Sequence, residues 1–359
     1  MHIKSSITNY KYNKVEESVI METKVFKPDE IPAAAALLAA GELVAFPTET
    51  VYGLGADATN VDAVKQVYRA KGRPSDNPLI VHVADVATVE RFAMPLSEAA
   101  KKLIKAFWPG PLTMIFKLKP NALATEVTGG LQTAAFRNPD NAATLALIRA
   151  AKTPIVGPSA NTSGKPSPTL AEHVYHDLNG KIAGILDDGP TKVGVESTVL
   201  DLSTDQPAIL RPGAITPEAI EAVIGMPVQT EAHHVGATEV PKAPGMKYKH
   251  YAPNAQVYIV DRSEDWPQAL AWAAQQDVPI GVMATDAILN QNQIPSNCEQ
   301  FSLGTDIQSA SQRLFAGLRH FDTETEIKDI LCQAFENKGL GLAYMNRLNK
   351  SAGQTHFSV

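Results

Sequence analysis

Between residues 43 and 83 the chain reads LVAFPTETVYGLGADATNVDAVKQVYRAKGRPSDNPLIVHV, and this stretch constrains the fold more than any other. A short apolar run, 43–46, suits a buried strand, and Pro47 ends ladder pairing because it has no N–H to donate. Three polar side chains follow, Thr48, Glu49 and Thr50, and then a glycine-bearing turn through Gly53 and Gly55. Val61, Val64, Val67 and Tyr68 stand at helical spacing, which predicts a helix over about 60–70, stopped by Gly72. A second apolar strand is expected at 79–83. The whole is a βαβ unit with polar groups after its first strand and two cations, Lys71 and Arg73, after its helix. In open α/β sheets ligands bind at the strand ends.

The rest of the chain continues the alternation. Helices are expected at 31–40, 97–107, 141–151, 169–178 (opened by a Thr169 cap) and 216–224, with Pro217 in the first turn of the last. Strands are expected at 113–118, 133–136, 154–156, 182–186, 197–202 and 208–210. A mixed or parallel α/β sheet follows from this order. Residues 226–254 lose periodicity and carry prolines at 227, 241, 244 and 253, as a linker would. It also holds the cluster Lys247, Tyr248, Lys249, His250 and Tyr251, unusually rich for a passive tether. A second, smaller α/β pattern begins at 255, with strands at 257–260 and 279–284 and helices at 267–276, 307–320 and 340–348. The expected organisation is therefore an N-terminal extension (1–23), a first domain (24–225), the linker (226–254) and a C-terminal domain (255–359).

Composition narrows the chemistry. Length alone, 359 residues, favours two domains. A net charge of −6 supplies no global basic field for avid nonspecific nucleic-acid binding. The two cysteines, Cys298 and Cys332, exclude a disulfide scaffold and fit a reduced, cytoplasmic protein. No apolar run approaches the length of a membrane span, and the polar first twenty residues lack a signal-peptide core. Met21 is an alternative start to Met1, and the extension is expected to be disordered.

Each motif has a bland reading beside its functional one. Gly53-Leu54-Gly55-Ala56-Asp57-Ala58 matches a dinucleotide fingerprint. The acidic residue it needs would be Asp76, in a loop rather than at a strand end, so coincidental turn glycines explain it better. The segment 157–167, GPSANTSGKPS, has too long a glycine gap for a P-loop and Pro166 where a hydroxyl should bind magnesium. Its hydroxyls and N–H groups line either a phosphate site or an ordinary solvated turn. Lys71 and Arg73 either complement a helix dipole or, with Ser75 and Asn77, cradle phosphate. His82 is a packed or a ligand-facing histidine. Arg137 and Arg211 either snorkel or clamp an anion. The deciding pattern is collective: polar or cationic groups follow strand ends at Thr50, Arg137, Ser159 and Arg211. Loops converging at one edge of a sheet build α/β active sites, and the implied ligand is anionic.

Taken in order, several blocks together resemble the threonylcarbamoyl-AMP synthase family, of YrdC-like fold, in its long two-domain form. They are PTETVYGLGADA (47–58), KGRPSDNPLIVHV (71–83), WPGPLT (108–113), RNPD (137–140), PSANTSGKPSP (158–168), GVESTVLD (194–201), LRPG (210–213) and PGMKYKHYAP (244–253). The resemblance covers about 24–254 in register. It implies a YrdC-like twisted mixed sheet followed by a smaller Rossmann-like α/β domain, and an L-threonylcarbamoyladenylate synthase, a nucleotidyltransferase. In that reaction L-threonine and bicarbonate form a carbamate that attacks the α-phosphate of ATP and releases pyrophosphate. The product passes to tRNA threonylcarbamoyl-transferase proteins for modification of tRNA, and tRNA itself is a further candidate partner.

Carried over by motif, Lys71, Arg73 and Asn77 hold the triphosphate, the first two as catalytic cations. Thr133, Ser159, Ser167 and Arg211 complete the ATP site. Thr50, His82, Arg137 and Ser197 hold threonine, with Arg137 on its carboxylate, and Asn161 shapes the loop between. Mg2+ is expected on ATP oxygens and water, without a protein-ligated metal site. The linker is implied to lie over the cleft as a lid, with Tyr248 against the nucleotide. Two other classes stay open on the residues alone: a non-catalytic RNA-binding module, against which the net charge argues, and a nicotinamide-dependent dehydrogenase built on Gly53 and Gly55.

Overall fold

The structure, a computed structural model, describes residues 22–230, 241–242, 251–323 and 326–358. Its first part is a ten-stranded mixed sheet. The strands are β1 (Lys24–Phe26), β2 (Val44–Phe46), β3 (Gly53–Asp57), β4 (Ile80–His82), β5 (Leu112–Lys117), β6 (Thr133–Arg137), β7 (Ile155–Val156), β8 (Gly184–Leu186), β9 (Thr198–Asp201) and β10 (Ala208–Arg211). Their order is β1-β8-β2-β3-β7-β4-β6-β5-β9-β10. Helices are α1 (Ile31–Ala39), α2 (Val61–Lys71), α3 (Val86–Phe92), α4 (Glu98–Phe107), α5 (Thr125–Thr128), α6 (Ala142–Ala151), α7 (Ala171–Leu178) and α8 (Pro217–Ile224).

The opening stretch differs from the sequence expectation in one respect. Gly53 and Gly55 do not form a turn; they lie in β3, which pairs antiparallel with β2. The aromatic ring of Phe46 explains the glycines. A Cβ on Gly53 would stand 2.6 Å from Phe46 Cζ, and one on Gly55 2.7 Å from the Val44 carbonyl oxygen. Glycine here makes room for a ring across a strand. The βαβ unit is therefore β3-α2-β4, with β7 inserted between its strands, and no tight phosphate turn exists for a dinucleotide.

Local chemistry sets α2 as expected. Asn60 Oδ1 accepts the N–H groups of Asp62 and Ala63, a cap that contributes about 1 kcal/mol. Val64, Val67 and Tyr68 are buried, and Gly72 ends the helix at φ +62°. Asn141 and Ser97 cap α6 and α4 in the same way. The hydroxyl cap expected at Thr169 is absent: α7 starts two residues later, and the Thr169 N–H points to His173 Nδ1 at 3.2 Å.

Strand direction decides where ligand-facing groups gather. β4, β6 and β10 run one way, whereas β2 and β7 run the other. The polar strand ends thus do not share one edge. Period-two alternation unites them instead, because Ile80 with His82, Ala135 with Arg137, and Ser197 with Val199 point to one face. Ile80, Ile115, Ala135 and Val199 form a small buried apolar floor on that face. The opposite face carries the largest core, filled from α2, α4, α7 and α8. Helices α1 and α6 cover the β1–β2 side of the near face through Phe26, Val44 and Phe46.

A separate four-stranded sheet follows: β11 (Gln256–Val260), β12 (Ile280–Ala284), β13 (Cys298–Ser302) and β14 (Asp329–Gln333), ordered β11-β14-β12-β13 and wholly parallel. Helices α9 (Trp266–Ala273) and α10 (Asp286–Gln291) pack on one side, and α11 (Ile307–Thr323) and α12 (Leu340–Ala352) on the other. The core beneath α11 and α12 also takes in Val51 and Tyr251, which joins it to the first sheet. Among the described residues no helix is long and apolar enough to cross a membrane.

Candidate active site

A cavity of about 40 Å³ lies on the apolar floor, walled by Arg73, His82, Arg137, Ser159, Ser197 and Arg211. Val51, Ile80, Gly157, Pro158, Glu196 and Tyr251 complete its lining. Six of the sequence-selected residues thus meet at one place. Ligand pockets for larger molecules run to about 300 Å³ or more, so this enclosed space is smaller than a whole nucleotide requires.

The cavity is electropositive, and its charges are incompletely partnered. Arg73 is buried, and its Nη2 makes only long contacts, 3.5 Å to the Asn77 carbonyl and 3.4 Å to that of Pro78. Its Nε has no hydrogen-bond partner, nor has Asn77 Oδ1. Burial pulls the Arg73 guanidinium down to about 10. Arg137 Nη2 lies 2.7 Å from Glu49 Oε2, yet Arg137 Nε is unpartnered and both Glu49 oxygens lack an aligned hydrogen bond. Arg211 donates from Nε to the Ser197 carbonyl and from Nη2 to Ser197 Oγ, each at 3.1 Å. Ser197 Oγ also meets Thr113 Oγ1 at 2.8 Å. Unmet polar atoms at a buried site are a strong mark of a ligand position.

His82 is held neutral. Burial first, and Arg137 second, push its imidazole well below the usual histidine range. Its ring meets Phe46 edge to face, centroids 5.2 Å apart, and Nδ1 has no partner. Gly157 permits this placement, since a Cβ there would lie 2.6 Å from both His82 Nδ1 and Phe46 Cζ.

Other selected residues stand behind the cavity rather than on it. Lys71 Nζ donates to the Ser159 carbonyl at 2.5 Å and the Asn161 carbonyl at 2.6 Å, so its ammonium pins the loop 158–168. Burial lowers its pKa well below the usual lysine value. Asn161 shapes that loop as expected geometrically, donating to the Thr162 and Lys165 carbonyls and accepting from Ser159 Oγ at 2.6 Å. Ser167 Oγ donates to Glu196 Oε1 at 2.5 Å. Thr50 is fully buried against Thr48, whose Oγ1 accepts the N–H groups of Thr50 and Val51 and so fixes the turn. Thr133 opens β6, at the far end of the strand from Arg137. Tyr248 lies outside the described residues.

Sequence reasoning missed Glu49, Glu196, Tyr251 and Arg347. Glu49 and Glu196 sit inside quoted motifs, and an acid beside the hydroxyls of such a loop signals an arginine partner in the fold. Tyr251 belongs to the cluster already marked in the linker. It is buried at φ +67°, its ring tilted 32° against that of Phe315 with centroids 5.2 Å apart. Arg347 had no sequence signal, since it sits on an unremarkable helix.

The family model described as Telomere recombination matches residues 36–213, and that described as Threonylcarbamoyl-AMP synthase, C-terminal domain, matches 215–353. A threonylcarbamoyl-AMP synthase of Bacillus subtilis is 52% identical over 328 residues, spanning 90% of this chain and 93% of that protein. One of Pyrococcus abyssi is 45% identical over 329 residues, 90% and 94% respectively. The crystal structure of P. abyssi Sua5 complexed with L-threonine superposes with a TM-score of 0.87 at 42% identity, covering 94% of this chain and all of that one.

Proposed function

The chain belongs to the threonylcarbamoyl-AMP synthase family, and from that premise we propose that the cavity is the meeting point of L-threonine and ATP. The chain is an adenylyl-transferring enzyme, an L-threonylcarbamoyladenylate synthase. One observation carries the site assignment: three buried arginines surround a cavity, and among the described residues donors on Arg73 and Arg137 have no acceptor. Anionic substrates supply the acceptors.

The reaction forms a carbamate from the threonine amine and bicarbonate, with loss of water. A carbamate oxygen then attacks the α-phosphorus of ATP, and the bond to pyrophosphate breaks. Such a transfer needs positioning and charge neutralisation rather than a covalent nucleophile. Arg137 takes the threonine carboxylate, oriented by Glu49, while neutral His82, Thr50 and Ser197 frame the rest of the amino acid. Arg73 and Arg211 neutralise the triphosphate, with Asn77, Ser159, Ser167 and Thr133 along the nucleotide. Lys71 reaches a phosphate only by exchanging its loop carbonyls, so Arg73 is the cation directly at hand.

Among the described residues no three His, Cys, Asp or Glu side chains gather closely enough to hold a metal ion, and the cleft carboxylates Glu49 and Glu196 face arginines. Magnesium is taken to enter as part of the MgATP substrate, held by ATP oxygens and water. The product is a labile mixed anhydride, consumed by tRNA threonylcarbamoyl-transferase proteins in the cytoplasm.

The test is incubation with ATP, bicarbonate and L-threonine, with L-serine in parallel, reading pyrophosphate. Release that depends on both threonine and bicarbonate is expected. Release indifferent to either, or none, overturns the reading.

A further inference from the structure

The second domain reaches the cleft through a side chain that never lines it. Arg347 of α12 is fully buried. Its Nε donates to Glu196 Oε2 at 2.9 Å, Nη1 to the Pro212 carbonyl at 2.8 Å, and Nη2 to the Glu196 carbonyl at 3.2 Å. These acceptors flank two cleft residues: Ser197 follows Glu196, and Arg211 precedes Pro212. Arg211 in turn closes the circuit on the Ser197 carbonyl and hydroxyl. Glu196 Oε1 meanwhile accepts from Ser167, so the same carboxylate ties in the loop 158–168. The face of the guanidinium lies 5.9 Å from the Tyr251 ring centroid, against the cover of the cavity.

We propose that Arg347 is a positioning residue for adenylyl transfer, by which the C-terminal domain sets the spacing between the 196–197 and 211–212 segments and so the placement of Ser197 and Arg211. This rests on the functional reading above. The planar fork is essential to it, because one ammonium serves neither the carboxylate and both carbonyls at once nor their fixed angles. A purely structural ion pair is the competing view. Arg319 provides the contrast, since it crosses the same domain boundary yet ends on Asp177 and the Pro166 carbonyl, away from Ser197.

The test uses the full chain, with L-threonine affinity by calorimetry, threonine-dependent pyrophosphate release and Tm. Arg347→Met is expected to weaken threonine binding and kcat/KM about 10–100-fold, the scale of an ångström's misplacement. Arg347→Lys keeps the charge, so Tm stays near that of the unmodified protein while affinity remains about tenfold weaker. Arg347→Met combined with Glu196→Gln regains Tm, because no buried charge is left alone, but not affinity. Threonine binding at full strength in Arg347→Lys, or in Arg347→Met, overturns the proposal. Absence of threonine binding in the unmodified protein overturns instead the functional reading on which it rests.

Discussion

Five arginines are buried among the described residues, and they divide by location. At the domain boundary Arg319 and Arg347 use Nε and both terminal nitrogens, each with a carboxylate and a carbonyl among the acceptors. In the cleft, among the described residues, Arg73 and Arg137 each leave Nε unpartnered, and Arg211 bonds to Ser197 alone. A charge removed from water must be paid back by partners. The boundary arginines find theirs in full within the protein; in the cleft Arg137 has Glu49 and Arg211 has Ser197, while Arg73 has only long carbonyl contacts. The same residue type therefore joins domains in one region and leaves donors open in the other, where we propose that substrate binds.

The sharpest attempt to break this division is Arg73→Ala. Among the described residues no ion pair joins Arg73 to a carboxylate, so pyrophosphate release is expected to fall about 10²–10³-fold with Tm unchanged or raised. A Tm loss with activity retained would put Arg73 among the structural arginines. At the boundary, Arg319→Ala strands Asp177 and is expected to cost about 3 kcal/mol in denaturant unfolding. A cost near zero there would erase the contrast.

Gly157→Ala tests the cleft's packing rather than its charge. The added Cβ meets His82 and Phe46, so a loss of about 1–3 kcal/mol is expected, together with weaker threonine binding in calorimetry. The pH dependence comes next. Burial alone would raise the Glu196 carboxyl, but Arg347 and Arg211 outweigh it and hold it at about 2, below an ordinary 4.5. Burial likewise opposes and Arg319 prevails at Asp177, also at about 2, from 3.8. Depressed carboxylates give stability that is complete above their unfolded pKa and is lost as pH falls toward the folded one. Unfolding free energy should therefore drop between about pH 4.5 and 2, and Glu196→Gln should flatten that limb. Lys27→Ala, at an exposed ion pair with Asp187, is expected to leave Tm unmoved in a thermal melt.

Much of the site was legible because loop chemistry is local. Arg137 ending one apolar strand, Ser159 after another and Arg211 ending a third are visible in a linear reading, and all three line the cavity with Arg73, His82 and Ser197. What failed was direction. A list of strand ends does not say which way each strand runs, and β2 and β7 run opposite to β4, β6 and β10. Gly53 and Gly55 misled for a related reason: glycine is read as a turn unless the ring lying over it is known.

The sequence by itself determined the alternation of strands and helices, the caps at Asn60, Ser97 and Asn141, the set of cations and hydroxyls, and the family. These follow from propensity, periodicity and motif, which act over a few residues. Only the tertiary structure decided that the groups meet on a sheet face, that Glu49 faces Arg137, that Lys71 is spent on loop carbonyls, and that Arg347 reaches Glu196 across 151 positions. Partner choice among buried charges depends on long-range geometry and on which donors remain unmet, and neither is written in the neighbourhood of a residue.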